Sequence, residues 1–456
     1  MPRTWCRALC RTLAWARESY KLDFLTMSSL EAPEATTDTP RPTGGTFASF
    51  RSPGYPTLWF CGLFSFLSVQ MQMLLRGLLA WDLTEREAAL GITYLCFGIA
   101  MLISTPLGGV ASDRLPKRRI MLVSQSVITA AAAGMGAVVI ADMAQFWMLL
   151  VAAVSQGAAF GFLGPARIAI SRELVGREHL GNAITLALLS MNGTRVFAPA
   201  AAGVLAGVPT VGIGGTYLIS AVFALISWVL MLRIPKSVGQ PVRASDPTQS
   251  TRWVNPFGEI INGIRYVMED KRLKRLVIAS FFVVVFGFNY VAFLPALIEG
   301  EFGLGEQWVG YISSASAIGA VAVAMPLASR ADSKQARPIM TASGFAFGVG
   351  IIGFGFAPTF WLAFGVILVV GGAFTVYQSL SNTLALAMAD DEHQGRVQSL
   401  MMLAFAGFGI AAAPMGALAE WIGLRYSLAA TGVVVLVASL SYSILERRSD
   451  PSNPAS

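Results

Sequence analysis

Twelve stretches of about 20 mainly apolar residues recur along the chain, the length a helix needs to cross a bilayer. They lie near 57–80, 88–111, 118–141, 145–169, 182–207, 211–233, 276–298, 308–329, 338–358, 360–388, 397–421 and 424–445. A backbone in lipid must satisfy its own hydrogen bonds, so such segments span as helices. This predicts an all-α integral membrane protein of twelve transmembrane helices. Composition agrees: 13% of residues are charged, against roughly 25% in soluble domains.

Basic residues stay preferentially on the cytoplasmic side, and here they alternate with the loops. Arg114, Lys117, Arg118 and Arg119, then Arg172 and Arg177, then a cluster from Arg233 to Arg275, then Arg330, Lys334 and Arg337, then Arg396 mark one side. The other side holds only Arg86 and Arg425. An even number of spans places both termini with the basic loops, so both ends are expected in the cytoplasm, with the chain multi-pass in the plasma (inner) membrane. Residues 1–55, rich in Arg, Pro, Thr and Glu, read as a disordered cytoplasmic tail with Met27 as a second candidate start. The expected body is a six-helix bundle at 56–233, a linker at 234–275, a second six-helix bundle at 276–446 and a tail at 447–456. Within the linker, Phe257, Ile260, Ile261, Ile264 and Met268 repeat at helical spacing beside Arg265, Lys271 and Arg272. That pattern suits an amphipathic helix lying in the interface or a soluble helix packed on the bundle.

The same residues exclude other classes. The net charge of +7 sits in short clusters between apolar runs, which suits lipid and topology rather than nucleic acid. Cys6, Cys10, Cys61 and Cys96 have no metal-site spacing with His179 and His393, the two histidines. No nucleophile motif or phosphate-cradling loop is present. No enzyme activity, metal or cofactor is expected.

The halves resemble each other. Glu178-His179-Leu180-Gly181 precedes span 5 and Glu392-His393-Gln394-Gly395 precedes span 11, with Pro199 and Pro414 at nearly the same offset. Paired repeats are a common transporter design. After span 2 the chain reads Gly109-Val110-Ala111-Ser112-Asp113-Arg114-Leu115-Pro116-Lys117-Arg118-Arg119, with a degenerate copy at Ala328 to Asp332 plus Arg337. That loop resembles the signature of the major facilitator superfamily. The resemblance implies the major facilitator fold, with its two six-helix pseudo-repeats, and a conformational latch formed by Gly109, Asp113, Arg114, Lys117, Arg118 and Arg119. On physical grounds the small Gly109 lets helices approach and Asp113 accepts charge-assisted hydrogen bonds. Asn192, Arg195, Pro199 and Gly203 look like a weakened exporter motif of span 5. Gly164-Pro165-Ala166-Arg167 with Glu173, and the Asn255-Pro256-Phe257 connector, are similar to the siderophore-exporter branch. In the resembling drug–proton antiporters an Arg stands where Ala153 precedes Gln156-Gly157.

An ionisable group deep in a bilayer normally faces protein or a water-filled cavity. Arg195, mid-span, either binds an anionic substrate group or pairs with carbonyls freed near Pro199. Ser65, Ser68, Gln72 and Arg76 share one helical face of span 1, as cavity lining or as helix-packing groups, with Arg76 able to snorkel outward. By the resemblance Asn289, Tyr290, Tyr377, Gln378, Ser381 and Asn382 line the cavity too. No acid or His falls clearly mid-membrane, so proton coupling is carried by the resemblance alone. The expected activity is export of a small molecule, drug-like or siderophore-like, by a proton-coupled monomer. Uptake by the same fold, or a non-transporting receptor or scaffold, are the rival readings.

Overall fold

Short polar turns separate the apolar stretches, and the residues at those turns decide where each helix starts and stops. A computed structural model describes residues 48–235, 237–240, 256–328, 335–390 and 393–447; the side chains of Asp113 and Asn192 fall outside the description. Helix α1 (Tyr55–Thr84) has Pro56 in its first turn, where no amide hydrogen is needed, and stops at the left-handed Glu85. α2 (Glu87–Arg114) and α3 (Lys117–Ile140) flank the extended Leu115 and the Pro116 corner. α4 (Phe146–Gly176) runs into α5 (177–206) without a loop. Gly176, at φ 70° and ψ −179°, makes the corner, in a region open essentially to glycine alone. α6 (Gly212–Leu232) completes the first half.

The short helix α7 (Pro256–Glu269) follows, and the Asp270 carboxylate caps α8 (Lys271–Gly287), accepting from the Arg272 and Leu273 amides. α8 does not continue straight: a 3-10 turn at Phe288–Val291 and a π-turn at Ala296–Glu301 follow it. Such irregular backbone is tolerated at this depth because Phe288, Asn289 and Tyr290 are buried in protein. α9 (Glu306–Ala328), α10 (Ala336–Gly355), α11 (Phe360–Met388), α12 (Gln394–Ile422) and α13 (Leu424–Arg447) complete the second half. Among the described residues nine of these helices are long and apolar enough to cross a membrane by length and composition. The described residues contain no strand.

The polar linker gives α7 one apolar face, and Ile261, Ile264 and Met268 are exposed on it. Its Tyr266 ring stacks on His393 at 4.0 Å, and the Tyr266 hydroxyl donates to Asp390 Oδ2 at 3.1 Å. Residues 48–51, which the composition assigns to the tail, form a 3-10 turn instead. Ser49 is fully buried there and donates to Asn182 Oδ1 of α5 and the His179 carbonyl.

Close backbone contacts join the halves mainly at the face opposite the basic loops. A Cβ added to Gly203 would stand 2.3 Å from Gly310 Cα, and one on Gly91 2.4 Å from the Ala412 carbonyl. Gly409 meets Tyr94 and Gly98, and Gly416 meets Glu87, in the same way. Helices without a hydrophobic force between them pack through such small residues. On α2 these contacts use only residues 87–98, near its start, and Arg86 adds a salt bridge to Glu420 at 3.0 Å on the rim. The bundle is therefore drawn shut at that face.

Candidate functional site

Among the described residues three arginines, Arg76, Arg167 and Arg195, enter the apolar interior, all from the first half, and helix geometry spreads them in depth. Arg195 on α5 reaches across the seam: its guanidinium lies 4.2 Å from the Phe288 ring centre and 5.5 Å from that of Phe374. These rings belong to a wider cluster in which Phe288 stacks on Phe374 at 5.1 Å and meets Phe408 at 5.3 Å. Phe408 in turn meets Tyr94 of α2 at 5.5 Å. The negative face of an aromatic ring attracts a guanidinium.

Arg76 does not snorkel. It is 3% exposed, lies 4.3 Å over Phe97, and donates through Nε to the Gln72 carbonyl; its Nη1 and Nη2 find no acceptor. Interior packing against α2 holds it, since the Tyr94 hydroxyl nearby is spent on the Met73 carbonyl. The polar face of α1 divides. Ser65 donates to Gln125 of α3, which donates on to the Ala224 carbonyl of α6, a packing network. Gln72 bonds Ser68 and accepts from Gln156 of α4.

In the second half Asn289 is buried, its amide bonded to the Val285 carbonyl and its Oδ1 without a donor. Oδ1 of Asn382 and Oε1 of Gln378 are likewise buried without a donor. Tyr377 packs back into its own half, 3.1 Å from where a Cβ on Gly344 of α10 would sit. Tyr290 bonds Ser316 at 3.1 Å, and the Ser381 hydroxyl is satisfied by the Gln378 carbonyl. The structure thus gathers Arg195 and the ring cluster at the seam, with Asn289 beside Phe288 in the chain. Pro199 and Gly203 stand farther along α5, Gly203 in the contact with Gly310.

Two basic residues of the loop after α2 are held locally. Lys117 Nζ pairs with Glu173 at 3.0 Å and donates to the Gln240 carbonyl, and Arg118 donates to the Ile234 and Leu232 carbonyls. Arg114 and Arg119 are exposed. The close approach expected at Gly109 falls one residue earlier. A Cβ on Gly109 meets nothing within 4 Å, whereas one on Gly108 would stand 2.8 Å from the Gly161 carbonyl of α4. One residue turns a helix by about 100°, so Gly108 faces the neighbour and Gly109 does not. The degenerate second copy falls mostly on residues outside the described set.

One interior arginine was read only as part of the Gly164–Arg167 motif and not as cavity lining: Arg167 on α4, 4.1 Å from the Phe66 ring centre. The available signal was a lone Arg in an apolar run nine residues before Gly176. Among the described residues a group of acids, Asp82, Glu299 and Glu306, stands at the closed face. There, burial first and the Glu306 and Asp82 carboxylates second push Glu299 up to about 8. Burial and Asp82 push Glu306 up to about 7. A separate aromatic cavity of ≈ 290 Å³ lies between α9 and α11, lined by Trp308, Tyr311, Phe360, Trp361 and Phe364. Its exposed Trp361 suits an interfacial aromatic belt rather than this site.

The sequence profile of the Major Facilitator Superfamily matches residues 58–414 and 276–456. The chain belongs to the Major Facilitator Superfamily. It is 23% identical over 371 residues to the enterobactin exporter EntS of Shigella flexneri, covering 81% of this chain and 83% of that one. The corresponding exporter of Escherichia coli O1:K1 is 22% identical over 371 residues, covering 81% of this chain and 84% of that one. Among solved structures, the nucleoside transporter NupG matches with TM-score 0.66 at 13% identity, over 87% of this chain and 99% of that one. A bacterial homolog of the human lysosomal transporter Spinster, inward-facing and unoccupied, matches with TM-score 0.67 at 15% identity, over 86% and 96%. The protein is accordingly a multi-pass membrane transporter of this superfamily. The superfamily fold places the seam, with Arg195 and its rings, between the two halves.

Proposed function

We propose that the protein exports a small organic compound, drug-like or siderophore-like, by alternating access coupled to protons. The observation that carries this reading is Arg195 of one half held on Phe288 and Phe374 of the other, a contact any rocking of the halves must remake. The relatives named as exporters support the direction. Glu299 and Glu306, displaced towards neutrality, support a proton as the coupling ion, because a carrier must load and release near working pH.

In this reading the basic loops and both tails face the cytoplasm, and the contacts at the opposite face close the site to the outside. Residues 56–233 and 276–446 move as the two halves, with 234–275 linking them and 1–55 and 447–456 as tails. The protein works as a monomer in the inner membrane. The latch group, Gly109, Asp113, Arg114, Lys117, Arg118 and Arg119, then closes the cytoplasmic face in the alternate state. Ser68, Gln72, Arg76, Arg195, Asn289, Gln378 and Asn382 serve the substrate path, and Tyr377 supports it from behind. Asn192, Pro199 and Gly203 shape α5.

The test is a substrate screen in inverted vesicles with an imposed pH gradient, acid inside. Export predicts gradient-driven accumulation in the lumen, lost on adding an uncoupler. Accumulation only in right-side-out vesicles would establish uptake instead, and ligand binding without flux would establish a receptor. Arg195→Ala is expected to abolish flux while the protein stays monodisperse.

A further inference from the structure

Arg167, absent from the site as the sequence pattern draws it, shares its arrangement with Arg195 and Arg76. Each guanidinium lies over one phenyl ring: Phe66 at 4.1 Å, Phe288 at 4.2 Å and Phe97 at 4.3 Å. At 1.5 Å per residue, Arg167 lies about 13 Å inside the basic-loop end of α4, Arg195 about 27 Å inside that end of α5, and Arg76 about 12 Å short of the far end of α1. The carboxylate nearest Arg167 along α4, Glu173, is held by Lys117 and by the Gly239 amide. Arg167 Nη1 is buried without an acceptor, as are both terminal nitrogens of Arg76. Gly62 of α1 leaves Arg167 its room, since a Cβ there would stand 3.4 Å from Nη1.

We propose that the three arginines are successive stations for an organic anion with a flat aromatic body, Arg167 receiving it first, Arg195 holding it at the seam and Arg76 receiving it in the alternate state. This rests on the reading of the seam as the transport path. A guanidinium over a ring offers two surfaces to such a molecule, donors for its anionic group and a π-face for its body. A neutral molecule engages only the second, and a cation is repelled. Of the three, Arg76 is the most enclosed, at 3% exposure, while Arg167 and Arg195 are half-buried.

The test measures binding of naphthalene-2-sulfonate, with naphthalene-2-methanol as its neutral counterpart, by equilibrium dialysis on the full chain in nanodiscs. Flux of the same sulfonate is then followed in proteoliposomes. Wild type is expected to bind the sulfonate saturably and more tightly than the alcohol. Arg167→Gln is expected to weaken that binding about tenfold or more, as loss of a charge-assisted hydrogen bond does, and to raise KM. Arg167→Lys restores part of it. Arg76→Gln is expected to lower kcat with KM and equilibrium binding little changed. Should Arg167→Gln fail to fold, Phe66→Leu replaces it and is expected to weaken binding by a smaller factor with the charge intact. Equal binding of sulfonate and alcohol, no saturable binding, or an Arg167→Gln protein indistinguishable from wild type overturns the stations. Wild type that binds in this pattern yet moves nothing supports the sites and overturns the transport reading. Flux that survives Arg167→Gln unchanged does the reverse.

Discussion

The two halves share a fold but divide the chemistry of the interior between them. The first half supplies the cations, Arg76, Arg167 and Arg195, and the amides of Gln72 and Gln156. The second supplies the ring cluster of Phe288, Phe374, Phe347 and Phe408 with Asn289. The shared fold therefore does not dictate the interior: the halves differ there, and the difference meets at the seam through Arg195.

Beyond loss of Arg195, the largest break in this division is expected from the glycines that set how closely the halves meet. Gly203→Leu forces a side chain against Gly310 Cα. Overpacking costs about 1–3 kcal/mol, borne only by the state closed at this face, which amounts to a population shift of about 5- to 150-fold. Cysteine labelling of the seam from the far side should rise, with flux falling in proportion. Next in size, Phe288→Leu removes the ring under Arg195. A cation–ring contact is worth about 0.5–2 kcal/mol, so KM for an anionic substrate should rise by a few fold to about 30-fold with the fold intact.

The division inverts at the closed rim, where the second half holds Glu299 and Glu306 against Asp82 of the first. Glu299 moves from the usual carboxylate range up to about 8. The native state then keeps a proton that the unfolded chain releases from about pH 4.5 upward. Its contribution to stability is full in acid and is lost as pH rises from there through about 8. Melting temperatures measured from pH 5 to 9 should fall across that window, and Glu299→Gln should flatten the slope. The smallest effect is assigned to Arg86→Ala. Its pair with Glu420 bridges the halves but stands in solvent, where such pairs contribute little; flux at high salt should be indistinguishable from wild type.

Much of the scaffold was legible in the residues because a bilayer imposes a length and a sidedness on each span. The linker helix followed from its apolar spacing in the same way. The site was legible only in part. Arg195 stood out as a charge in an apolar run, but its partners, Phe288 and Phe374, lie 93 and 179 residues further on, and periodicity does not say which ring a guanidinium meets. The polar face of α1 was visible as a face, yet only the fold shows that Ser65 ties helices together while Arg76 stays inside. Gly109 was expected at a close contact that Gly108 makes, a slip of one residue that only a placed neighbour resolves.

The corner at Gly176 acts as a gauge. With no loop to absorb slack, the register between α4 and α5, and hence the spacing from Arg167 to Arg195, is set by one backbone conformation. A single residue inserted there would swing α5 by about 100° and turn Arg195 off its rings without altering any side chain. Swapping that corner between related chains is then expected to move Arg195 relative to Arg167 while leaving every side chain of both helices in place.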